Sequence, residues 1–462
     1  MRDADVRKHE TDHVADIALN RILDARERRA DFQREMLDEF GRPLISFTLN
    51  IPGAFKTFPL ARQAFLEGKF QIIRQMERAG IPIVDYRDLS GDAGFCGIWA
   101  LDADPMWIKK LSVSIEEGCE IGRLFDIDVL RADGRGISRQ DLGLPMRQCL
   151  ICNSAAHVCA RSRRHSAEEL ARKTEGALQD YFDRRFADKV ASSALRALLY
   201  EVATTPKPGL VDRSNSGAHQ DMDFFSFIDS ASALIPYFHA CVMKGATFEG
   251  TPEQLFRAVR YIGQAAEGAM FAATGGANTH KGLIYSLGLI CVAAGRLHRK
   301  KGKVKPEDLI TLCSEMAQIS LEELKERRNS APMTHGETAF SRYGFLGVRG
   351  EAANGFPNVR NIALPILRSL LKQGVSFNDA GVVTLLHLIA NVEDTNIIAR
   401  TDKGTSESVR QKVKNLLDSV TDIEELLQAA NWIDEEFIAL NISAGGCADL
   451  LALSFMLIFL FP

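Results

Sequence analysis

Between residues 166 and 189 the spacing of apolar residues changes character, and that change limits the fold more than any other feature of the chain. Before it, short runs alternate or are rich in β-branched residues: Ile45–Ile51, closed by the turn pair Pro52-Gly53, then Ile81–Tyr86, Gly97–Leu101 and Leu124–Val129. Alternation of period two makes a half-buried strand. Helical spacing over Asp16–Phe40, Leu60–Leu66 and Ile72–Arg78 makes this part mixed α/β. After it, apolar residues recur every three to four positions over long stretches, among them Ala167–Phe186, Phe224–Tyr237, Pro252–Phe271, Leu283–His298, Asn361–Gln373 and Val382–Ala390. That period buries one face of a helix. Glycine- and proline-rich loops at Lys207–Gly217, Gly275–Gly282, Gly344–Pro357 and Ser443–Gly446 break the runs. At roughly 100–200 residues per domain, 462 residues divide into an α/β domain over 1–185 and an all-α helical domain over 190–462.

Charge and cysteine content narrow the function. A net charge of -4 lacks the basic surplus of a duplex-coating protein, so no nucleic-acid partner is expected. Met1–Phe40 is dense in charge and has no apolar core of a secretory leader. The apolar tail Leu450–Pro462 is too short to span a bilayer, so it packs inside the second domain and no membrane partner is expected. A cytoplasmic location follows, in which the nine cysteines read as metal or redox groups rather than structural disulfides.

Gly122-Arg123-Leu124-Phe125-Asp126-Ile127-Asp128-Val129 sets two carboxylates at i and i+2. On a strand they share a face and can share one magnesium ion, as phosphoryl or nucleotidyl transfer requires. The alternative is a strand end whose acids face water. Further on, Cys149-x-x-Cys152 is followed by Cys159 and His165, a set able to supply tetrahedral zinc ligands. The same four could equally be thiols and an imidazole in a helix–turn segment. Arg161, Arg163 and Arg164 lie among them, and guanidinium forks fit phosphate; a solvated basic face is the other reading.

In the helical part, Glu201 precedes Thr204-Thr205-Pro206-Lys207-Pro208-Gly209-Leu210-Val211-Asp212-Arg213, which continues to His219, Asp221 and Asp223. This stretch is too polar and rigid for core packing, and loops held by a rigid scaffold carry function. Asp221 and Asp223 could coordinate metal, and Lys207 and Arg213 could hold phosphates. Gly275-Gly276-Ala277-Asn278-Thr279-His280-Lys281-Gly282 then enters a helix whose free N–H groups suit an anion. It lacks the spacing of a P-loop. Val348–Glu351, Glu393–Asn396 with Arg400, and Ser443–Asp449 are further polar loops.

Pro43–Pro59, Gly122–Val129 and Cys149–Ser166 resemble the citrate lyase holo-acyl-carrier-protein synthase family. Glu201–Asp223, Ala273–Leu287, Glu393–Arg400 and Ile442–Leu451 resemble triphosphoribosyl-dephospho-CoA synthase, so the chain looks like a fusion of the two. The resemblance implies a nucleotidyltransferase-like first domain and two consecutive reactions. ATP and 3'-dephospho-CoA would give triphosphoribosyl-dephospho-CoA with loss of adenine. That product would then lose pyrophosphate as it joins a serine of the apo acyl carrier protein, the gamma subunit of citrate lyase. It further implies Asp126, Asp128, Glu201, Asp212, His219 and Asp394 as catalytic groups, with Asp126 and Asp128 on magnesium and Asp221 and Asp223 on a second site. Arg161, Arg163, Lys207, Arg213, Gly275, Gly276, Asn278, His280, Lys281 and Arg400 would hold the nucleotides. Two positions depart from the family pattern: Ser443-Ala444-Gly445-Gly446-Cys447 stands for Ser-Pro-Gly-Gly-Ser, and Arg400-Thr401-Asp402 for Arg-Gly-Gly.

Three rival readings remain. The same chemistry could serve malonate decarboxylase, although the Gly122–Val129 strand favours citrate lyase. A zinc-dependent nucleic-acid module would need a basic excess and more than 8% aromatic residues. A non-catalytic scaffold would not need these polar loops.

Overall fold

A computed structural model describes residues 2–53, 56–91, 93–152, 154–326 and 335–462, with only the backbone given for 2–19 and 335–336. Contacts divide the chain into Met1–Phe182 and Asp183–Pro462. In the first unit the order is α1 (Arg2–Phe40), β1 (Leu44–Leu49), α2 (Pro59–Arg78), β2 (Ile83–Asp88), β3 (Cys96–Leu101), α3 (Pro105–Gly118), β4 (Phe125–Leu130), β5 (Gly136–Ile137), α4 (Ala156–Ser162) and the start of α5 (Ala167–Ala203). The strands form one antiparallel sheet in the order β2-β3-β1-β4-β5.

Alternation along the strands gives the sheet two faces. Ile45, Phe47, Trp99, Ile127 and Val129 bury one face with Phe65, Ile72, Ile108 and Leu111 of α2 and α3. The other carries a smaller cluster of Leu44, Cys96, Ile98 and Ala100 under Met36 and Leu37 of α1. Gly68 of α2 permits the close packing, since a Cβ there would overlap the Phe47 ring.

The second unit is helical: α6 (Phe224–Thr247), α7 (Pro252–Ala273), α8 (Lys281–Lys301), α9 (Pro306–Glu326), α10 (His335–Tyr343), α11 (Gly347–Ala353), α12 (Leu364–Lys372), α13 (Phe377–Asn391), α14 (Thr395–Arg400), α15 (Lys403–Ser419), α16 (Ile423–Ala439) and α17 (Gly445–Leu460). Its core centres on α8, α13 and α17, which bury side chains around most of their circumference. Hence the apolar tail Leu450–Leu457 is interior. Among the described residues no helix is long and apolar enough to cross a membrane. Helices α6 and α8 meet through glycines: a Cβ on Gly245 would overlap the Val292 carbonyl, and one on Gly295 that of Val242. The stretch Gly344–Pro357, expected as loop, contains α11, because Gly347 and Gly350 do not stop the short helix there.

Candidate active sites

In the first unit, Asp126 and Asp128 lie on β4 opposite Thr48 and Ser46 of β1. Phe125, Ile127 and Val129 point into the core, so both carboxylates emerge on the α1 side of the sheet. The pair is brought together, as its spacing requires. A groove of about 190 Å³ beside it is lined by Arg26, Arg29 and Gln33 of α1, by Asp128 and by Gly136. Water reaches the Asp128 carboxylate, yet protein crowds its other sides; that burial, together with the Asp126 charge, raises its pKa.

Cations support the pair from behind. Arg147 lies 3.8 Å from Asp126 and also pairs with buried Glu116. Its guanidinium donates to the Phe125 carbonyl at 3.1 Å. Glu116 additionally accepts the Ile127 N–H at 3.2 Å, so it serves as an anchor for Arg147 rather than as a third acid of the pair. Lys109 is buried and donates to the Ile127 carbonyl at 2.9 Å; burial lowers its pKa against the pull of Glu116 and Asp128.

Cys149, Cys152, Cys159 and His165 also converge, their ligand atoms all within 4.8 Å of one another. The bond from His165 lowers the Cys152 thiol to about 6, while Cys152 and burial push Cys159 to about 11. Arg161 and Arg163 are exposed, Arg163 in the left-handed region at φ 47°. Arg164 donates to Ser154 Oγ at 3.0 Å.

In the second unit the polar loops surround a cavity of about 1220 Å³. Single small-molecule sites occupy roughly 300–1,000 Å³, so this one has room for two nucleotides. Glu201, Lys207, His219, Asp221, Asn278, His280, Lys281, Asp394 and Arg400 line it. Asp212, Arg213, Asp223, Gly275 and Gly276 are not among its lining residues, and the structure gives them other work. Asp212 accepts the backbone N–H groups of Lys207, Ser214 and Asn215, bracing the loop it sits in. Arg213 is exposed and donates to Thr205 and Asn378. Asp223 caps α6, taking both the N–H and the hydroxyl of Ser226, and unlike Asp221 it does not line the cavity. Gly275 and Gly276 adopt φ 63° and 98°, turning the chain from α7 toward α8.

Lys207 and Glu201 form a buried ion pair, each almost wholly excluded from solvent. A lysine so committed is not a free phosphate clamp. Burial raises the Glu201 pKa, and Lys207 opposes the rise. The loop reaches this position because the Asp434 carboxylate of α16 accepts the Gly209 N–H and the Asn215 amide, each at 2.8 Å. Gly209 sits at φ 67° with its α-carbon against the Ile442 carbonyl, where a side chain would collide.

His219 is held between Arg400, which donates to Nδ1 at 3.0 Å, and Ser443 Oγ, 2.9 Å from Nε2. Burial and the Arg400 charge lower its pKa to about 4, so the ring is neutral near pH 7. His280 is buried more deeply, and burial and Lys207 lower it to about 3. Its Nδ1 lies 2.7 Å from Ser230 Oγ, which in turn receives Thr279 Oγ1 at 2.8 Å. Its Nε2 is buried with no hydrogen-bond partner among the described residues. His280 therefore lines the cavity as a neutral donor or acceptor, not as a cation. Lys281, at the start of α8, is partly exposed and pairs with Glu267 at 2.9 Å.

Asp394 caps two helices at once, accepting the Asn396 N–H of α14 and the Cys447 N–H of α17, each at 2.8 Å. The Cys447 contact is made by the backbone, so cysteine in place of the family's serine leaves it intact. In the other departure, Asp402 caps α15. Sequence reasoning left Asp449 out of the catalytic set. It lines the cavity on α17 with a carboxylate oxygen packed on Gly282, and burial plus the charges of Glu201 and Asp394 raise its pKa well above the usual range. Glu351 and Arg349 of α11, which the sequence marks as part of a polar loop without a role, line the same cavity. No spacing rule marks these three; only the packing of α17 and α11 against the loops does.

Residues 187–461 match the family model for ATP:dephospho-CoA triphosphoribosyl transferase, and residues 17–181 that for apo-citrate lyase phosphoribosyl-dephospho-CoA transferase. The chain is 35% identical over 453 residues to a Haemophilus influenzae protein described as Protein CitXG, covering 95% of each. It is likewise 35% identical to a Leuconostoc mesenteroides protein of the same description, over 95% of this chain and 96% of that one. A Klebsiella pneumoniae 2-(5''-triphosphoribosyl)-3'-dephosphocoenzyme-A synthase is 40% identical over 59% of this chain and 90% of its own length.

Proposed function

Because this chain belongs to the CitXG family, which joins the two transferases end to end, we propose that its two sites act in succession on one prosthetic group. The enzyme is a bifunctional transferase. It makes 2'-(5''-triphosphoribosyl)-3'-dephospho-CoA from ATP and 3'-dephospho-CoA, releasing adenine, and attaches it to a serine of the citrate lyase acyl carrier protein, releasing pyrophosphate. The equivalent role for malonate decarboxylase is disfavoured by the match of residues 17–181 to the citrate lyase transferase.

The first reaction belongs to the cavity of the second unit. The bond from ribose C1' to adenine breaks, adenine leaves with the electron pair and takes up a proton, and the 2'-hydroxyl oxygen of dephospho-CoA bonds to the same carbon and gives up its own proton, so that none is gained or lost overall. An oxocarbenium-like centre at that carbon is stabilised by a nearby carboxylate, and adenine leaves more readily when protonated. Asp449, which lines the cavity with its pKa raised by burial and by the charges of Glu201 and Asp394, would supply that proton. Asp394, which lines the cavity and is fixed by two helix N-termini, would face the ribose. His219 and Arg400 would orient the incoming hydroxyl, and the free Nε2 of His280 would bond substrate. Lys281 and the N-terminus of α8 suit the triphosphate. A magnesium ion carried with ATP would be drawn to Asp221, which lines the cavity, rather than to Asp223, which caps α6.

The second reaction belongs to β4. The carrier serine oxygen bonds to the α-phosphorus of the triphosphate, and the bond to pyrophosphate breaks. Two hard oxygen ligands on one strand face, with Asp128 raised by the charge of Asp126, fit a magnesium ion. Bound there, the ion would neutralise charge on the transferring and leaving phosphates. Arg147 and Arg29 lie near enough to the pair to attract the rest of the phosphate chain, and exposed Arg161 and Arg163 suit nucleotide phosphates farther out. The antiparallel sheet bearing paired aspartates also supports a nucleotidyltransferase-like fold for this unit.

The observation that carries the division of labour is that each acid group stands in its own unit with its own basic partners. Incubation with ATP, magnesium, dephospho-CoA and apo carrier should release adenine and pyrophosphate and increase carrier mass. Asp126→Asn should reduce carrier labelling about 1,000-fold while adenine release continues and the triphosphoribosyl intermediate accumulates. Loss of both activities in that variant would defeat the assignment.

A further inference from the structure

We propose that Cys149, Cys152, Cys159 and His165 bind one zinc ion, which folds the segment between β5 and α5 and so holds Arg147 against the aspartate-bearing strand. The segment has little apolar material to hold it, half-buried Leu150 being packed against the core of the sheet. Among the described residues from Ser138 to Ser166, Cys159 is the one buried hydrophobic side chain, and regular structure is limited to a single 3-10 turn and the seven residues of α4. Chain of this kind is ordinarily fixed by a metal or a disulfide.

The geometry suits a metal. Cys152 Sγ lies 3.3 Å from Cys159 Sγ and 3.3 Å from His165 Nε2. Tetrahedral zinc with bonds of about 2.3 Å to sulfur separates its sulfurs by about 3.8 Å, so small side-chain adjustments of this cluster produce the site. Cys149 and Cys152 flank a tight turn pinned by Cys149 N–H to the Ser154 carbonyl at 2.8 Å and Ala156 N–H to the Arg147 carbonyl at 2.9 Å. Within it the Ile151 N–H donates to Cys149 Sγ at 3.4 Å, the kind of donor that stabilises a metal-bound thiolate. Three sulfurs and one imidazole favour zinc over magnesium, and four protein ligands close the site, as in structural rather than catalytic zinc. With three thiolates and a neutral imidazole on zinc(II) the cluster carries one net negative charge, which Arg161, Arg163 and Arg164 offset from the surface.

The consequence for the second reaction rests on the functional reading above; the metal site does not. Arg147 is the second residue before Cys149, and Arg123 donates to the carbonyl of the intervening Gln148. Loss of the ion would free the strand of residues that carries Arg147 to Glu116 and Asp126.

The full chain, purified without chelator, should contain one zinc per chain by elemental analysis and by native mass spectrometry. Cobalt substitution should give the thiolate charge-transfer absorption and visible bands of a tetrahedral sulfur-rich site. Cys152→Ser and Cys159→Ser should lose the metal and carrier labelling while adenine release is unchanged. The proposal is overturned if the wild-type chain holds no stoichiometric zinc and takes up no cobalt, or if it is lighter by two hydrogens through a Cys152–Cys159 disulfide. It is overturned equally if the serine variants retain full metal. Zinc present without any effect of its loss on labelling would leave the site standing and remove the link to Arg147.

Discussion

The two units place negative charge in opposite settings. On β4 the carboxylates stand at the surface of a sheet beside a groove of about 190 Å³, and arginines approach from neighbouring elements. In the helical unit the acids line a cavity of about 1220 Å³, and burial dominates the behaviour of Glu201, Asp394 and Asp449. The difference matches the reacting partners. A carrier protein can bring its serine only to an open face, whereas a glycosidic exchange between two small molecules needs water kept away from a reactive ribose carbon. The means of positioning differ too. Strand alternation alone aligns Asp126 and Asp128, while the buried acids depend on helix caps and loop braces drawn from across the unit.

The contrast is open to direct attack. Its largest expected effect is at the buried ion pair: Lys207→Met leaves Glu201 without its partner and should lower the unfolding free energy of the helical unit by about 3 kcal/mol, measured by urea denaturation. Removing the half-exposed pair of Arg42 with Asp102 in the sheet unit by Arg42→Met should cost less than about 1 kcal/mol. Equal losses would erase the distinction between the two settings.

Next comes chemistry. Asp449→Asn should slow adenine release about 100-fold, with carrier labelling from supplied triphosphoribosyl-dephospho-CoA unaffected. Because the folded Asp449 pKa is raised, its proton is retained to higher pH than in the unfolded chain and is lost as pH climbs through the folded value. The wild-type rate should therefore fall on that alkaline side, and the Asn variant should lack this limb. A variant profile with the same limb would assign the protonation elsewhere.

The smallest effect sharpens the account of Asp223. If its work is to cap α6, Asp223→Ala should cost about 1 kcal/mol of stability, and the Asn variant should recover most of it. A loss of magnesium-dependent turnover with stability unchanged would return Asp223 to the catalytic set.

How far the sequence could be read follows from the same contrast. The i, i+2 aspartates were legible because strand geometry is local, and the helical half was legible because its apolar period persists over many turns. The Cys149–His165 set was suggested by spacing, but its convergence needed α4 to return Cys159 toward the turn. The cavity was legible only in part. Asp212 looked catalytic because a carboxylate in a polar motif does; its three N–H contacts are invisible in one dimension. Asp449 was visible only as the end of the Ser443–Asp449 loop, with no role attached, and Gly209 depends on Asp434, far along the chain. Long-range hydrogen bonds of this kind decide which polar residues build a loop and which face substrate.

The glycine contact between α6 and α8 has a reach beyond its own neighbourhood. Ser230 meets His280, and fifteen residues farther along each helix Gly245 and Gly295 sit at the crossing, so the helices run parallel with one constant offset in numbering. Fifteen residues of helix span about 22 Å. A methyl group introduced at that far point would prise the two rods apart or slide them, and an imidazole–hydroxyl bond of 2.7 Å tolerates little of either. The spacing of a pair of backbones thus works as a gauge for the histidine at their other end. Damage to it would register as poor turnover in a variant that touches no substrate.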